Sequence, residues 1–255
     1  MTQQNTISFL AQRWMALVAG VLALMLAGCA SGPTAVPHDP LEPLNRGIYG
    51  FNEKVDAMVL KPVATVYRDV TPDPVRTGVH NFFSNLKDLW SSINAVAQLR
   101  PQEAVENFMR FNVNTVFGLG GLLDLASEMN IPRTELDFGQ TLGRWGVPAG
   151  PYLVLPLFGP SSGRDLLGTS IEAKGDLTQG LDSVSQRNAL QALRAVEKRA
   201  NLLRATDLLG DVSLDPYSFT RDVYLQRRQS QIQDLIDQGI GLPERAAHTD
   251  TETNN

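Results

Sequence analysis

Residues 82–96, FFSNLKDLWSSINAV, place apolar side chains at Phe82, Phe83, Leu86, Leu89, Trp90, Ile93 and Val96. Steps of three and four residues are the period of an α-helix rather than of a strand. Thr71-Pro72-Asp73-Pro74, ahead of the run, is a helix start signal. The same period returns further along the chain. Pro101, suited to a first helical turn, leads into Val105, Phe108, Met109, Val113, Val116 and Phe117. Leu190, Leu193, Val196, Ala200 and Leu203 form one face against Arg187, Arg194, Lys198 and Arg199. Asp215-Pro216 opens a last helix through Phe219, Val223, Leu225, Ile232, Leu235 and Ile236, which Gly239 closes. Only Tyr152 to Phe158 (YLVLPLF) reads as a strand, and Pro156 interrupts it. The chain is predicted to be mainly α.

The 255 residues carry 22 Lys and Arg against 27 Asp and Glu, a formal net charge of −5. That balance excludes nucleic acid as a partner, which asks for a basic domain with clustered Lys and Arg. Hydrophobic residues make up 43%, so the chain as a whole is not disordered. Charged residues make up 19%, against about 25% in a typical soluble domain, which leaves a surface poor in charge. Cys29 is the only cysteine, and His38, His80 and His248 are scattered. A disulfide framework, a multi-Cys metal site and a His-rich metal site are therefore not expected, nor is any cofactor.

The position of the cysteine is informative. Trp14 to Gly28 is a run without charge, preceded by Arg13 and ending Leu26-Ala27-Gly28-Cys29. A charged start, a short apolar stretch and small residues before a break are the parts of a secretory signal, and the run is short for a membrane span of about 20 residues. The alternative is an uncleaved anchor helix ending in an incidental Cys. Leu-Ala-Gly-Cys is similar to the bacterial lipobox, and that resemblance implies a signal peptide over residues 1–28, cleavage before Cys29 and acylation of Cys29. Several acyl chains anchor stably where one is marginal. Ala30, where Asp commonly retains such lipoproteins in the inner membrane, implies the outer membrane. Ser31 to Pro40 holds three Pro and one Gly and reads, with Cys29 and Ala30, as a lipidated tether over 29–40; ten residues reach at most about 33 Å. The folded domain is expected over 41–242, followed by a disordered polar tail over 243–255.

Between Val113 and Gly168 repeated Gly and Pro stand among apolar runs. Helix breakers are costly inside a water-soluble bundle. Broken helices at membrane depth have this character, because irregular backbone there must be buried in protein or line a wet cavity. A long packed loop of a soluble domain is the other reading, and the lipid anchor favours contact with the bilayer.

Several ordered motifs together resemble one family. Asp39-Pro40-Leu41-Glu42-Pro43-Leu44-Asn45-Arg46, then Tyr49-Gly50-Phe51-Asn52 and Asp56, look like the opening of the MlaA (VacJ) lipoproteins. Asn81-Phe82 with Asn85-Leu86, Arg110 and Asn114 leading to Gly118-Leu119-Gly120-Gly121-Leu122-Leu123-Asp124, and Phe138-Gly139-Gln140-Thr141-Leu142-Gly143-Arg144-Trp145-Gly146 fit the same pattern. So do Gly150 to Pro156, Gly159-Pro160, Arg164-Asp165 and Gly168, and the likeness runs over roughly residues 39 to 225. The resemblance implies a single ring-like helical domain embedded in the inner leaflet of the outer membrane, exposed on its periplasmic face. It implies a role in lipid asymmetry: phospholipid that has strayed into the outer leaflet passes through an amphipathic channel to a periplasmic carrier, which feeds an inner-membrane ABC transporter. Trimeric porins are the partners it implies.

Such transport needs no nucleophile, and the chain is not expected to be an enzyme. Gly118-Leu119-Gly120 has Leu123 where a dinucleotide fingerprint needs a third Gly, Ser161 and Ser162 form no Gly-x-Ser-x-Gly elbow, and His80 has no motif around it. A Ser ahead of a helical segment is usually a cap. The channel or gating candidates are Phe51, Asn52, Gly118, Gly120, Gly121, Asp124 and Arg144. For the glycines, control of a channel stands beside simple helix termination. For Phe51-Asn52 it stands beside a core Phe with a capping Asn. Arg110, Arg144, Arg164 and Asp165 are candidates to meet a headgroup, with a structural Arg–Asp pair as the other reading of the last two. A structural lipoprotein that braces a porin and a tethered envelope hydrolase are the alternatives from other functional classes.

The address is testable by sucrose-gradient fractionation. Cys29→Ala is expected to accumulate unlipidated precursor, and Ala30→Asp to move the protein toward the inner membrane. Cleaved, lipid-labelled Cys29→Ala protein in the outer-membrane fraction would refute the assignment of Cys29.

Overall fold

The computed structural model describes residues 39–210 and 214–239. The expected signal peptide, Cys29, the tether as far as residue 38 and the tail from 243 lie outside the described residues. Within them the protein is mainly helical, as the periodicity implies.

Helix α1 (Glu42–Val55) passes through a π-helical turn (Asp56–Leu60) into α2 (Lys61–Val70). Pro62 explains the wide turn: it lacks an N–H to bond back one turn and its ring crowds the carbonyl there, so the backbone ahead of it loosens. The Arg199 guanidinium holds Asp56 at this turn through two bonds of 2.7 and 2.8 Å. Helix α3 (Asp73–Ala97) starts at the Pro-flanked signal and packs along α4 (Pro101–Val116), and the corner between them places Leu99 at φ +58°. A short α5 (Leu125–Glu128) and α6 (Phe138–Arg144) follow. Asp137 and Gln140 form a capping box on α6.

The expected strand is β1 (Tyr152–Leu155), which stops at Pro156. It pairs antiparallel with β2 (Gly159–Ser162), with Tyr152 opposite Ser162 and Leu155 opposite Gly159. Strand β2 was not legible, because Gly-Pro-Ser-Ser has neither alternation nor β-formers. Ser162 caps α7 (Gly163–Gly175), as its place before a helical segment suggested. A 3₁₀ turn (Leu177–Gly180), α8 (Val184–Gly210) and α9 (Pro216–Asp237) complete the order, with Asp215 capping α9 and Gly239 beyond its end at φ +62°.

Among the described residues apolar packing forms small clusters. Ala64 of α2 meets Ala200 and Leu203 of α8, with Val196 and Tyr67 against them. Tyr152 and Val154 of β1 meet Tyr217 of α9 and Ile48 and Tyr49 of α1. Ala95, Ala104, Leu136 and Leu235 join α3, α4 and α9. Asp39, assigned by composition to the tether, belongs to this body. It is 1% exposed, accepts from Asn45 at 2.8 Å, bonds the Tyr217 hydroxyl and pairs with Arg221, because a buried carboxylate requires such partners.

Elsewhere the polarity is inverted. On α4 the stripe Val105, Phe108, Met109 and Val116 faces outward, and Phe117 beyond it is 70% exposed. The buried face of α4 is Ala104, Asn107, Arg110, Val113 and Asn114. Helix α3 likewise buries Asn85, Asp88, Ser91, Ser92 and Asn94 while exposing Ile93 and Val96. Met58, Val59, Val63, Val66 and Val70 are exposed along α2 and the turn before it.

Helices α6 and α7 approach closely at Gly139 and Gly168; a Cβ on Gly168 would overlap the Gly139 backbone. Gly168→Ala is expected to destabilise by about 1–3 kcal/mol through overpacking. Gly47→Ala, in open space on α1, is expected to stabilise by up to about 1 kcal/mol through helix propensity. Denaturant unfolding of the two variants beside the parent measures both.

Candidate functional site

The channel candidates fall into three groups by their contacts. The first closes α4. Arg110 is 1% exposed and lies between two carboxylates: it contacts Asp88 at 3.4 Å and grips Asp124 with bonds of 2.8 and 2.9 Å from one nitrogen. It also donates to Ser127 Oγ and the Ile131 carbonyl. Arg133 joins Asp88 at 2.9 Å and approaches Asp124 at 3.7 Å. The two acids respond differently. Burial pushes the Asp88 carboxyl up and prevails over its two guanidiniums. Burial pushes Asp124 up as well, but bonds from Ser127 and Asn114 and the charge of Arg110 outweigh it and hold this carboxyl at about 2.

Asn114 ties this cluster to the glycine loop. Its Nδ2 donates to Asp124, its Oδ1 accepts from Ala126 N at 2.9 Å, and its backbone carbonyl accepts from Gly121 N at 2.8 Å. Leu119, Gly120 and Gly121 then run through positive φ at +55°, +73° and +95°. A Cβ on Gly121 would come within 2.6 Å of Asn85 Nδ2, and one on Gly118 would strike backbone carbonyls. Gly120 instead stands in open space and is required only for its φ. The glycines therefore end α4 and fold the chain back tightly, while Phe117, Leu119, Leu122 and Leu123 stay exposed around them.

The second group is Phe51 and Asn52. Asn52 Nδ2 donates to the Leu155 carbonyl at 2.9 Å, and Leu157 N donates to Asn52 Oδ1 at 2.8 Å. Asn45, two turns earlier on α1, makes the matching pair with Tyr152 O at 3.0 Å and Val154 N at 2.9 Å. The amides thus hold the hairpin as a neighbouring strand would. Asn52 is a clamp and no helix cap, and Phe51 is half exposed and not in the core. The hairpin tip carries Leu157, at φ +66°, and Phe158, 80% exposed.

Arg144 is the third group. Its Nε donates to the Gln98 carbonyl at 3.1 Å, at the end of α3, and its two terminal nitrogens donate to Leu235 O and Gly239 O at the end of α9. It thereby caps two helices whose C-terminal carbonyls lack partners of their own. Arg164 and Asp165 form the structural arrangement, with Arg164 against Asp165 at 3.3 Å. Arg228 bridges Asp165 at 2.7 Å and Asp137 at 2.6 Å. Burial raises the Asp165 carboxyl, and Arg228 with Tyr224 overcomes it, so the net shift is downward. His80 bonds Glu197 on α8 at 2.8 Å.

Sequence reading placed Asn45 and Asn85 in motifs without a role, and missed the buried amides Asn94, Asn107 and Gln98 and the partners Asp88, Asp137 and Arg228. The signal was present in Asn107, Arg110 and Asn114, which repeat at helical spacing opposite the apolar stripe. Taken together, the geometry offers an irregular body with many polar side chains paired within and many apolar side chains outside.

Asp124 ties structure to pH. Its folded pKa is depressed below that of the unfolded chain, so its contribution to stability is present above about pH 4 and fades as pH falls toward 2. Unfolding midpoints measured between pH 5 and 2 are expected to drop in the parent and to drop less steeply in Asp124→Asn. At neutral pH that variant is expected to be less stable by about 1–3 kcal/mol, because Arg110 loses one of its two carboxylates and keeps Asp88.

Three comparisons bear on identity. The family model described as MlaA lipoprotein matches residues 37–231. The intermembrane phospholipid transport system lipoprotein MlaA of Shigella flexneri is 39% identical over 212 residues, covering 80% of this chain and 82% of that protein. The protein of the same description from Haemophilus influenzae is 35% identical over 240 residues, covering 89% and 95%. A solved chain from work on the "Structural basis for maintenance of bacterial outer membrane lipid asymmetry" superposes with a TM-score of 0.68 at 37% identity, covering 76% of this chain and 98% of that one. A family model that matches from ahead of the buried Asp39 into the last helix, and relatives 35–39% identical over most of both chains, mean that this chain belongs to the MlaA lipoprotein family.

Proposed function

We propose that this protein is a lipid-anchored outer-membrane component that removes mislocalised phospholipid from the outer leaflet and passes it to a periplasmic carrier. The inverted polarity carries the reading. Large apolar side chains are exposed in number on α2, α3, α4, the glycine loop and the hairpin tip, far beyond the occasional single residue of a water-soluble surface. Among the described residues no helix is long and apolar enough to cross a membrane. A body that is apolar outside, polar inside and without a spanning helix suits the interfacial layer of one leaflet, and the acylated Cys29 would hold it there.

The work asked of such a body is physical. A phospholipid headgroup crossing hydrocarbon loses its hydrogen bonds and pays the large desolvation cost of a charge. A wall that is polar on one side and apolar on the other lowers that barrier without forming a covalent bond. Phe51 and Asn52 at the hairpin and Gly118 to Gly121 beside Asp124 are the segments assigned to shaping the path. A trimeric porin alongside, and an inner-membrane ABC transporter beyond the carrier, complete the route. The names carried by the relatives support phospholipid as the cargo.

The combined variant Phe108→Asp, Phe117→Asp, Phe158→Asp removes apolar contact at three exposed sites and no internal bond. In cells lacking the native protein it is expected to accumulate to normal levels yet leave outer-leaflet phospholipid raised several-fold, as read by an outer-membrane acyltransferase reporter. Normal asymmetry with this variant would count against embedding. Normal asymmetry in cells with no protein at all would favour a porin brace. Steady release of fatty acid by purified protein would favour a hydrolase.

A further inference from the structure

A cleft of about 210 Å³ opens between the middle of α3, the segment ahead of α6 and α9. None of the large apolar side chains exposed elsewhere on the body lines it. Its wall is polar, and the hydrogen bonds within that wall leave it one-sided.

The acceptors are nearly all spent. Arg228 donates to both oxygens of Asp137, at 2.6 and 2.9 Å, and Asp137 Oδ1 also accepts from the Gln140 N–H at 2.8 Å. Asp137 N donates to Gln140 Oε1, and Arg228 to Gln231 Oε1, each at 3.3 Å. A backbone N–H and a guanidinium can only donate, so both carboxamides turn their oxygens to these partners. Lys87 takes Glu135 Oε2 at 2.6 Å, which leaves Glu135 Oε1 as the one carboxylate oxygen in the cleft without a bond from a described residue.

The donors are not spent. Arg227 is exposed, lines the cleft, and makes no hydrogen bond or ion pair with any described residue. Gln140 is 4% exposed, yet its Nε2 has no acceptor among the described residues, and neither has Gln231 Nε2. These nitrogens are not sealed off as the carboxamide oxygens of Asn85 and Gln98 are. Lys87 is half exposed and has used one of its three N–H groups. Since Lys87 neutralises Glu135 and Arg228 neutralises Asp137, the charge left over is the cation of Arg227, in a chain whose net charge is −5. Glu135 feels the same field: burial pushes its carboxyl up, and Lys87, with Arg133 and Arg227 behind it, outweighs burial and brings it down.

We propose that this cleft binds a phosphate group, carried by a lipid headgroup or by a soluble phosphate ester. Arg227 is its bidentate partner, because a guanidinium fork matches two phosphate oxygens. Lys87 and the two carboxamide nitrogens supply donors from α3, α6 and α9. A tetrahedral phosphate accepts on several sides at once, as donors spread over three elements require, whereas a carboxylate accepts in one plane. The cleft is smaller than the roughly 300 Å³ of a pocket for a drug-sized molecule, so it takes a phosphate with a small substituent and leaves any acyl chains outside. The site goes beyond the transport reading and does not depend on it.

The test is equilibrium dialysis of radiolabelled inorganic phosphate against the purified full-length lipoprotein in dodecyl maltoside micelles, at neutral pH and fixed ionic strength. The parent is expected to bind phosphate saturably. Arg227→Gln breaks no bond to a described residue and is expected to weaken binding roughly tenfold or more, the order of effect of losing a charged hydrogen-bond donor. Lys87→Gln removes a cation and releases Glu135 to repel the anion, and is expected to weaken binding roughly threefold or more. Lys198→Gln, exposed on α8 away from the cleft, is expected to change nothing. Displacement of the label by dioleoyl phosphatidylglycerol added to the micelles assigns the group to a lipid headgroup; displacement by glycerol 3-phosphate alone assigns it to a soluble ester. A parent without saturable binding, binding that survives both cleft substitutions, or an equal loss in Lys198→Gln overturns the site and leaves the transport reading intact.

Discussion

The structure depends on one constraint: polar side chains turned inward must find their partners among one another. Apolar burial supplies only small clusters around Ala64, Tyr152 and Ala95. Much of the remaining described interior is amide, hydroxyl and ion pair, and in a low-dielectric setting each unpaired group would cost on the order of 1–3 kcal/mol. Asp124 shows how the constraint is met, since it caps α5 through Ser127, pairs with Arg110 and takes a bond from Asn114. Helix end, loop closure and interhelical contact are thereby one object. Asp165, whose backbone N–H donates to the Ser162 cap of α7, joins that helix to α9 through bonds from Arg228 and Tyr224 to its carboxylate.

What could be read from the sequence follows from this. Boundaries were legible because they are set locally: Asp73-Pro74, Pro101, Asp215-Pro216 and Gly239 stand where helices begin and end. Periodicity also identified the stripe Val105, Phe108, Met109 and Val116, but a period has no sign. It tells which residues share a face and not whether that face meets protein or solvent. The sign lay in the opposite stripe, Asn107, Arg110 and Asn114, whose charge and amides need partners that only the tertiary fold supplies. Strand β2 was illegible for a related reason, because its conformation is imposed by pairing with β1 and by the cap that Ser162 provides.

The candidate site was legible in outline. The glycine loop, Phe51-Asn52 and Arg144 all occupy special positions, yet the work each does came from distant residues. Asn52 acts on a hairpin more than a hundred residues away, and Arg144 reaches carbonyls on two helices. Asp39 looked like tether because its neighbours are Pro and His, and Asn45 together with Tyr217 and Arg221 from the far end of the chain makes it part of the body. The first described residue and the last helix are joined at that carboxylate.

The clamp formed by Asn45 and Asn52 has one more consequence. A two-stranded hairpin presents open edges, rows of amide and carbonyl groups that can recruit a strand from another molecule. Lipoproteins crowded on a two-dimensional surface meet one another at high local concentration, so an open edge there is a route to polymerisation. The α1 carboxamides occupy the outer edge of β1 at Tyr152, Val154, Leu155 and Leu157. By closing that edge with side chains that cannot propagate a sheet, the helix removes this route while the hairpin keeps its exposed apolar tip.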